Sequence, residues 1–141
     1  MIASETYMTR LSDYFLRLAV AFALMGVGLG YWMGATHQFL LSPVHAHINL
    51  LGWVSMFLYG LFYRAMPMAA AGLLPKIHAV LATLGLPLMM IGLTIQLLAI
   101  PSLMAAVPPL MIARPTMVVL GMAVFAVIVF RATGPAKAAG A

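Results

Sequence analysis

The sequence contains no cysteine and very little charge. Without cysteine, the chain can form neither a disulfide nor a thiolate metal site. Only 6% of its 141 residues are charged, whereas 65% are hydrophobic. A soluble domain has about 25% charged residues, because it must cover its core with a hydrated surface. We therefore exclude a soluble globular domain and expect an integral membrane protein.

The sequence also lacks the alternation of polar and apolar residues that is typical of a membrane β-barrel. Its apolar residues form continuous runs instead, and roughly 20 helical residues are needed to cross a bilayer core. Four windows have this length, at about 16–36, 44–63, 77–100 and 109–130, the last interrupted by Arg114 and Pro115. The sequence therefore predicts one all-α domain, residues 1–141, built as a bundle of four transmembrane helices.

Acidic residues are nearly absent: the chain has two of them against seven Lys and Arg, a net charge of +5. The cations are scattered at the ends of the apolar runs, which indicates contact with lipid headgroups and not with nucleic acid. With four spans, all of them except Arg114 fall on one side, and the positive-inside rule places that side in the cytoplasm. Glu5 precedes the first apolar run, so we expect no cleaved signal peptide. Both termini are predicted to be cytoplasmic.

Small and flexible residues indicate how the helices pack. Gly26, Gly30 and Gly34 recur every four residues, a spacing that lets two helix backbones approach closely in lipid. The 13 methionines are spread over all four windows. We interpret them as adaptable packing residues and not as metal ligands.

Four histidines are the informative ionisable residues, since such groups in or near membrane spans are costly. For His78, near the inner surface, we expect a hydrated imidazole, and for His37 a helix end with hydrogen bonds to nearby carbonyls. His45 and His47 stand two apart at the outer end of the second helix, so their side chains point about 200° apart. One metal ion is not easily held by both, although each could serve a separate site. The other interpretation of the pair is that both histidines are polar residues that face the lipid headgroups.

The second helix and the loop after it carry a set of motif residues: His45, Ala46, His47, Asn49, Gly60, Tyr63 and Pro67. This set resembles subunit I of the haem–copper oxidases and nitric oxide reductases. In that family one helix carries a His-x-His pair that ligates two haems, and a His-x-Asn pattern is common. The spacing from His47 to Gly60 and Tyr63 fits with an offset of one residue. The resemblance covers the second helix well and the rest of the chain weakly.

The chain also departs from that family. The family's subunit has twelve helices and a histidine run for copper, whereas this chain has four predicted helices and only His37 and His78 outside the pair. A complete oxygen-reducing centre is therefore not expected, and enzyme activity stays open. The larger subunit consists of three arcs of four helices around a pseudo-threefold axis. The resemblance thus implies a homotrimer in which His45 of one protomer and His47 of the next ligate a shared haem b.

The same resemblance gives roles to further residues. Arg114, near the outer end of the fourth helix, would bind a haem propionate, or it would snorkel to the headgroups. Trp53 and Tyr63 would pack on the porphyrin, or belong to the aromatic belt, which is our preference for Trp32. Asn49 is assigned to the haem site because it continues the polar character of the helix inward from the histidine pair.

The resulting hypothesis is a haem b protein of the bacterial inner membrane that transfers electrons or senses through its haem. Two histidine ligands leave no open position on the iron, which suits these roles better than oxygen chemistry. Two alternatives stay open. One is a copper- or zinc-handling assembly protein with an outer-surface site formed by His37, His45 and His47. The other is a structural membrane subunit whose histidines contact headgroups or a partner.

Overall fold

The computed structural model describes the backbone of residues 2–134 and the side chains of residues 10–103 and 115–134. Helix α1 (Ile2–Thr36) is followed by α2 (Ser42–His47), a π-helical segment (Ile48–Ser55) and α3 (Met56–Ala65). These last three run on without a break, and together we call them the second helix. Two more helices follow, α4 (Leu74–Leu97) and α5 (Val107–Thr133), each preceded by a 3₁₀ turn, at Pro67–Ala70 and Pro101–Ala106. Residues 2–134 contain no strand, which confirms the all-α prediction for them.

Within the described part of the chain, three helical stretches are long and apolar enough to cross a membrane: Arg10–Thr36, Leu74–Leu97 and Pro115–Thr133. Large apolar side chains cover the outside of the bundle, among them Leu24, Leu50 and Val119, which are 63–71% exposed. A water-soluble monomer rarely exposes so much contiguous apolar surface. The described surface therefore suits contact with lipid.

Helix α1 begins at Ile2, well before the predicted start at residue 16. The added part has partners on α3, since Ser12 Oγ donates to the carbonyl of Gly60 over 2.9 Å. Asp13 forms an ion pair with Arg64 one turn further along α3. An apolar window detects only the part of a helix that matches the membrane thickness. It therefore misses a helix that continues past the membrane with polar contacts.

Glycines set the distance between α1 and the second helix. A Cβ on Gly26 would lie 2.6 Å from Asn49 Oδ1, and a Cβ on Gly30 would lie 2.8 Å from His45 Cε1. The prediction of close approach is confirmed for these two glycines. For Gly34 it is wrong, because a Cβ there would meet no atom within 4 Å. In this antiparallel register Gly34 lies one turn beyond Gly30, past the start of the second helix at Ser42.

The two ends of the bundle differ in character. One end, which we call the basic end, holds the start of α1, the end of α3, the start of α4 and the end of α5. The ion pair between Asp13 and Arg64 joins α1 to α3 there, and Pro75 of α4 and Arg131 of α5 line one cleft. The cations of this end are Arg10, Arg17, Arg64, Lys76 and Arg131. The opposite end, which we call the histidine end, holds His37, His45 and His47. The separation agrees with an arrangement in which neighbouring helices alternate in direction.

Candidate functional site

The second helix widens immediately after the histidine pair. Residues Ile48–Ser55 form a π-helical segment, in which two side chains bond to carbonyls. Asn49 Nδ2 donates to the carbonyl of His45 over 2.8 Å, and Ser55 Oγ donates to the carbonyl of Leu50 over 2.8 Å. A π turn adds one residue, so it rotates the following part of the helix by about 100°. This segment was not predicted, because no residue pattern in it specifies a π turn.

His45 lies half-buried between the second helix and α1. Its Nδ1 is 2.9 Å from the carbonyl oxygen of Gly26. A carbonyl can only accept, so Nδ1 carries the hydrogen and the neutral ring has its lone pair on Nε2. The Asn49 amide lies beside the ring, with Nδ2 3.3 Å from Nδ1 and 3.4 Å from Nε2. A hydrogen bond of this kind from the other ring nitrogen is how proteins orient a metal-ligating histidine.

His47 is held in the same tautomer by a different carbonyl. Its Nδ1 donates to the carbonyl oxygen of Pro43, one turn earlier, over 2.6 Å. The lone pair of the neutral ring is again on Nε2. Residues Ser42–His47 are α-helical, so the rings of His45 and His47 leave the helix about 200° apart. One chain therefore offers two prepared Nε2 atoms that cannot meet on the same ion.

His37 does not join the pair. It ends α1 as an exposed residue in the left-handed conformation, with φ 55°. The N–H of Gln38 closes the helix by donating to the carbonyl of Met33 over 3.3 Å, in the pattern of a Schellman cap. Among the described side chains, no three His, Asp or Glu residues group together as metal ligands. A single chain thus does not gather His37, His45 and His47 into one site.

The other predicted site residues are dispersed. Trp53 lies in the π-helical segment and is 43% exposed, so its ring is accessible to lipid or to a neighbouring molecule. The side chain of Arg114 lies outside the described residues. Tyr63 is fully buried at the basic end, which excludes both interpretations offered for it, a porphyrin contact and membership of an aromatic belt.

The expectation of a hydrated His78 is wrong. His78 is 0% exposed and lies at the basic end among aromatic rings from every long helix. The rings of Phe15 and Phe125 stack on it with centroid distances of 5.3 and 5.0 Å, and the Tyr59 ring meets it edge-on at 4.5 Å. The Tyr63 hydroxyl is 2.9 Å from Nδ1. Nε2 has no hydrogen-bond partner among the described residues. This cluster packs the core at the basic end.

The hydrogen bond between Tyr63 and His78 should make the effects of changing these two residues non-additive. Tyr63→Phe removes the hydrogen bond between the Tyr63 hydroxyl and Nδ1 of His78. A buried polar group that loses its partner costs about 1–3 kcal/mol of stability. Tyr63→Phe combined with His78→Leu should cost less than the sum of the two single changes, because no buried polar group is then left. Unfolding in detergent, followed by circular dichroism, measures all four species. Strict additivity would contradict this account of the pair.

A comparison of the chain with protein-family models, curated proteins and solved structures finds no match. Function is therefore inferred from the local geometry of the histidine end and from the resemblance of the second helix. Of the two, the geometry is the more specific. It places both His45 and His47 in the tautomer in which Nε2 can accept a metal.

Proposed function

We propose that this protein binds haem b in a bacterial inner membrane and uses it for electron transfer or haem-based sensing. The observation that carries the proposal is the matched state of His45 and His47. Each ring donates its Nδ1–H to a backbone carbonyl, at 2.9 and 2.6 Å, which leaves the lone pair on Nε2. At His45 the Asn49 amide nitrogen lies 3.4 Å from that atom, so a ligand there would displace it. Two surface histidines that merely faced headgroups would not need this common orientation.

The proposal includes a fourth membrane span, formed by the second helix. Residues 42–65 comprise 24 residues. At about 1.5 Å per residue these reach roughly 35 Å, enough for a hydrocarbon core of about 30 Å. The basic end then lies at the cytoplasmic surface, in agreement with the positive-inside rule. The histidine end lies at the outer surface.

The haem is proposed to lie between protomers, because one chain cannot direct both rings at one iron. His45 of one copy and His47 of its neighbour would supply the two axial nitrogens in a closed homotrimer. Bis-histidine haem b supplies one-electron transfer and has no open position for oxygen. Arg114 is proposed to bind a propionate, and Asn49 to hold the His45 ring in place.

The π-helical segment supports the resemblance to the oxidase and reductase family. The spacing from His47 to Gly60 and Tyr63 matches the family's helix only with an offset of one residue. One extra residue is what a π turn adds to a helix, and Ile48–Ser55 lies between His47 and Gly60. A π turn at this place would account for an offset of one residue.

Colour and metal content test the proposed function directly. We expect protein purified in detergent to be red, with a sharp Soret band and one iron per chain, since a trimer has as many interfaces as chains. The iron should be extracted as haem b in a pyridine haemochrome assay. Colourless protein with stoichiometric copper or zinc would instead support the metal-handling alternative. Protein without haem or metal would support a structural subunit.

Topology should be tested separately, because it fixes the depth of every histidine. We expect a reporter fused at Ala141 to be active only in the cytoplasm, and one inserted within residues 101–108 to be active only outside. The reason is that the cations of the basic end favour the cytoplasmic surface. An external C-terminus would place the histidine end in the cytoplasm and overturn the proposed orientation of the site.

A further inference from the structure

An open cleft of about 710 Å³ runs along the flank of α1 at the basic end. Its lining combines two cations, one anion, one phenol and two apolar side chains: Arg10, Asp13, Tyr14, Arg17, Leu18 and Ala21. None of these residues takes part in the proposed haem site, which lies at the opposite end of the bundle. The cleft therefore needs its own explanation.

The charges of the cleft favour an anion. The carboxylate of Asp13 is already paired with Arg64, which also donates from Nε to Ser12 Oγ over 3.3 Å. Arg10 and Arg17 are both exposed, and neither forms an ion pair with another described side chain. They stand seven residues apart on one helix, so they share a face at a separation of about 10.5 Å along the axis. The cleft thus presents the guanidinium groups of Arg10 and Arg17, whereas the charge of its one acidic residue, Asp13, is balanced by Arg64.

The shape of the cleft favours an amphiphile with its acyl chain along α1. Tyr14 lies between the two arginines, and its hydroxyl donates to Thr83 Oγ1 of α4 over 2.9 Å, which ties this face of α1 to α4. Leu18 and Ala21 continue the cleft toward the middle of the bundle. From Arg10 to Ala21 the lining changes from charged to apolar. A membrane leaflet changes in the same way from its headgroups to its acyl chains.

We propose that this cleft binds an anionic phospholipid of the cytoplasmic leaflet. Arg10 and Arg17 bind the phosphate headgroup by charge-assisted hydrogen bonds, and Leu18 and Ala21 contact the first part of an acyl chain. The inference rests on the proposed membrane residence of the chain but not on haem binding. A zwitterionic lipid carries the same phosphate together with a cation, which the two arginines repel, so the cleft discriminates by net charge.

Native mass spectrometry of the full chain in detergent tests the site, with phosphatidylglycerol and phosphatidylcholine added as competing probes. Wild type should retain phosphatidylglycerol preferentially. Each cation near a membrane surface contributes roughly a fivefold preference, so Arg10→Gln with Arg17→Gln should lower the preference by about thirtyfold. The matched control is Lys76→Gln with Arg131→Gln, which removes the same charge from the basic end outside the cleft. The control should keep the preference, and both pairs should keep the same Soret band.

Three results would overturn the lipid site. One is the absence of any preference in wild type, and another is an equal loss in the control pair, which would indicate general surface charge. The third is displacement of the lipid by millimolar inorganic phosphate, which would assign the arginines to a soluble anion. Recovery of the chain in the soluble fraction of cells, scored before extraction, would instead identify a failure of the proposed membrane residence.

Discussion

Gly30→Ala should weaken haem retention by about 10- to 100-fold, whereas Gly28→Ala should leave it intact. A methyl group on Gly30 would lie 2.8 Å from Cε1 and 3.3 Å from Nδ1 of His45, so the ring has to move. Movement breaks the hydrogen bond from Nδ1 to the carbonyl of Gly26, which holds Nε2 in place. Loss of such an orienting contact typically lowers metal affinity by about 10- to 100-fold. The Soret absorbance per chain, after a passage over a haem-binding competitor, measures the loss.

Gly28 provides a close control, since it lies on the same helix and in the same apolar surroundings. A Cβ on Gly28 would meet no atom within 4 Å, and alanine favours a helix over glycine by about 1 kcal/mol. Gly28→Ala should therefore match or exceed the wild type in stability and bind the same amount of haem. If Gly30→Ala kept a six-coordinate haem with unchanged affinity, His45 could not be an axial ligand in its present position.

Hydropathy predicted the helical class because lipid offers no partner to an exposed backbone amide. A chain with so few polar residues then has little choice but to form helices, and the windows near residues 16–36 and 77–100 coincide with membrane-capable helices in the structure. The same method misplaced the start of α1, whose residues before the window are fixed by Ser12 and Asp13 through contacts with α3. Such contacts depend on which helices become neighbours, which periodicity does not specify.

The residues of the candidate site were predicted from the sequence, but the residues that surround them were not. The opposite directions of His45 and His47 followed from helix geometry alone. His45 faces Gly26 and Gly30 of α1 because the two helices pack in one particular antiparallel register. The sequence does not specify that register. The burial of His78 could not be foreseen either, because it needs aromatic rings from α1, α3 and α5 to converge on one point. An isolated histidine near a helix end carries no signal of that convergence.

Co-expression of His45→Ala and His47→Ala chains should restore part of the six-coordinate haem that each variant lacks alone. In the proposed ring, each haem takes His45 from one protomer and His47 from the next. Each variant by itself then leaves every haem with one axial histidine. In a mixed ring, an interface that joins an intact His45 to an intact His47 is complete again. With equal and random mixing, about a quarter of the interfaces are restored, and the low-spin spectrum should recover in that proportion.

The restored fraction discriminates between a shared haem and any site contained in one protomer. The two variants carry different affinity tags, and two successive affinity steps isolate the trimers that contain both. Co-assembly is thus established before the spectrum is recorded. Every mixed trimer has one restored interface in three, so this purification should raise the recovered signal from about a quarter to about a third. A chain carrying both substitutions, mixed with itself, gives the baseline. If both histidines served a haem within one chain, no mixing could complete a ligand pair, and mixed rings without recovery would exclude the shared site.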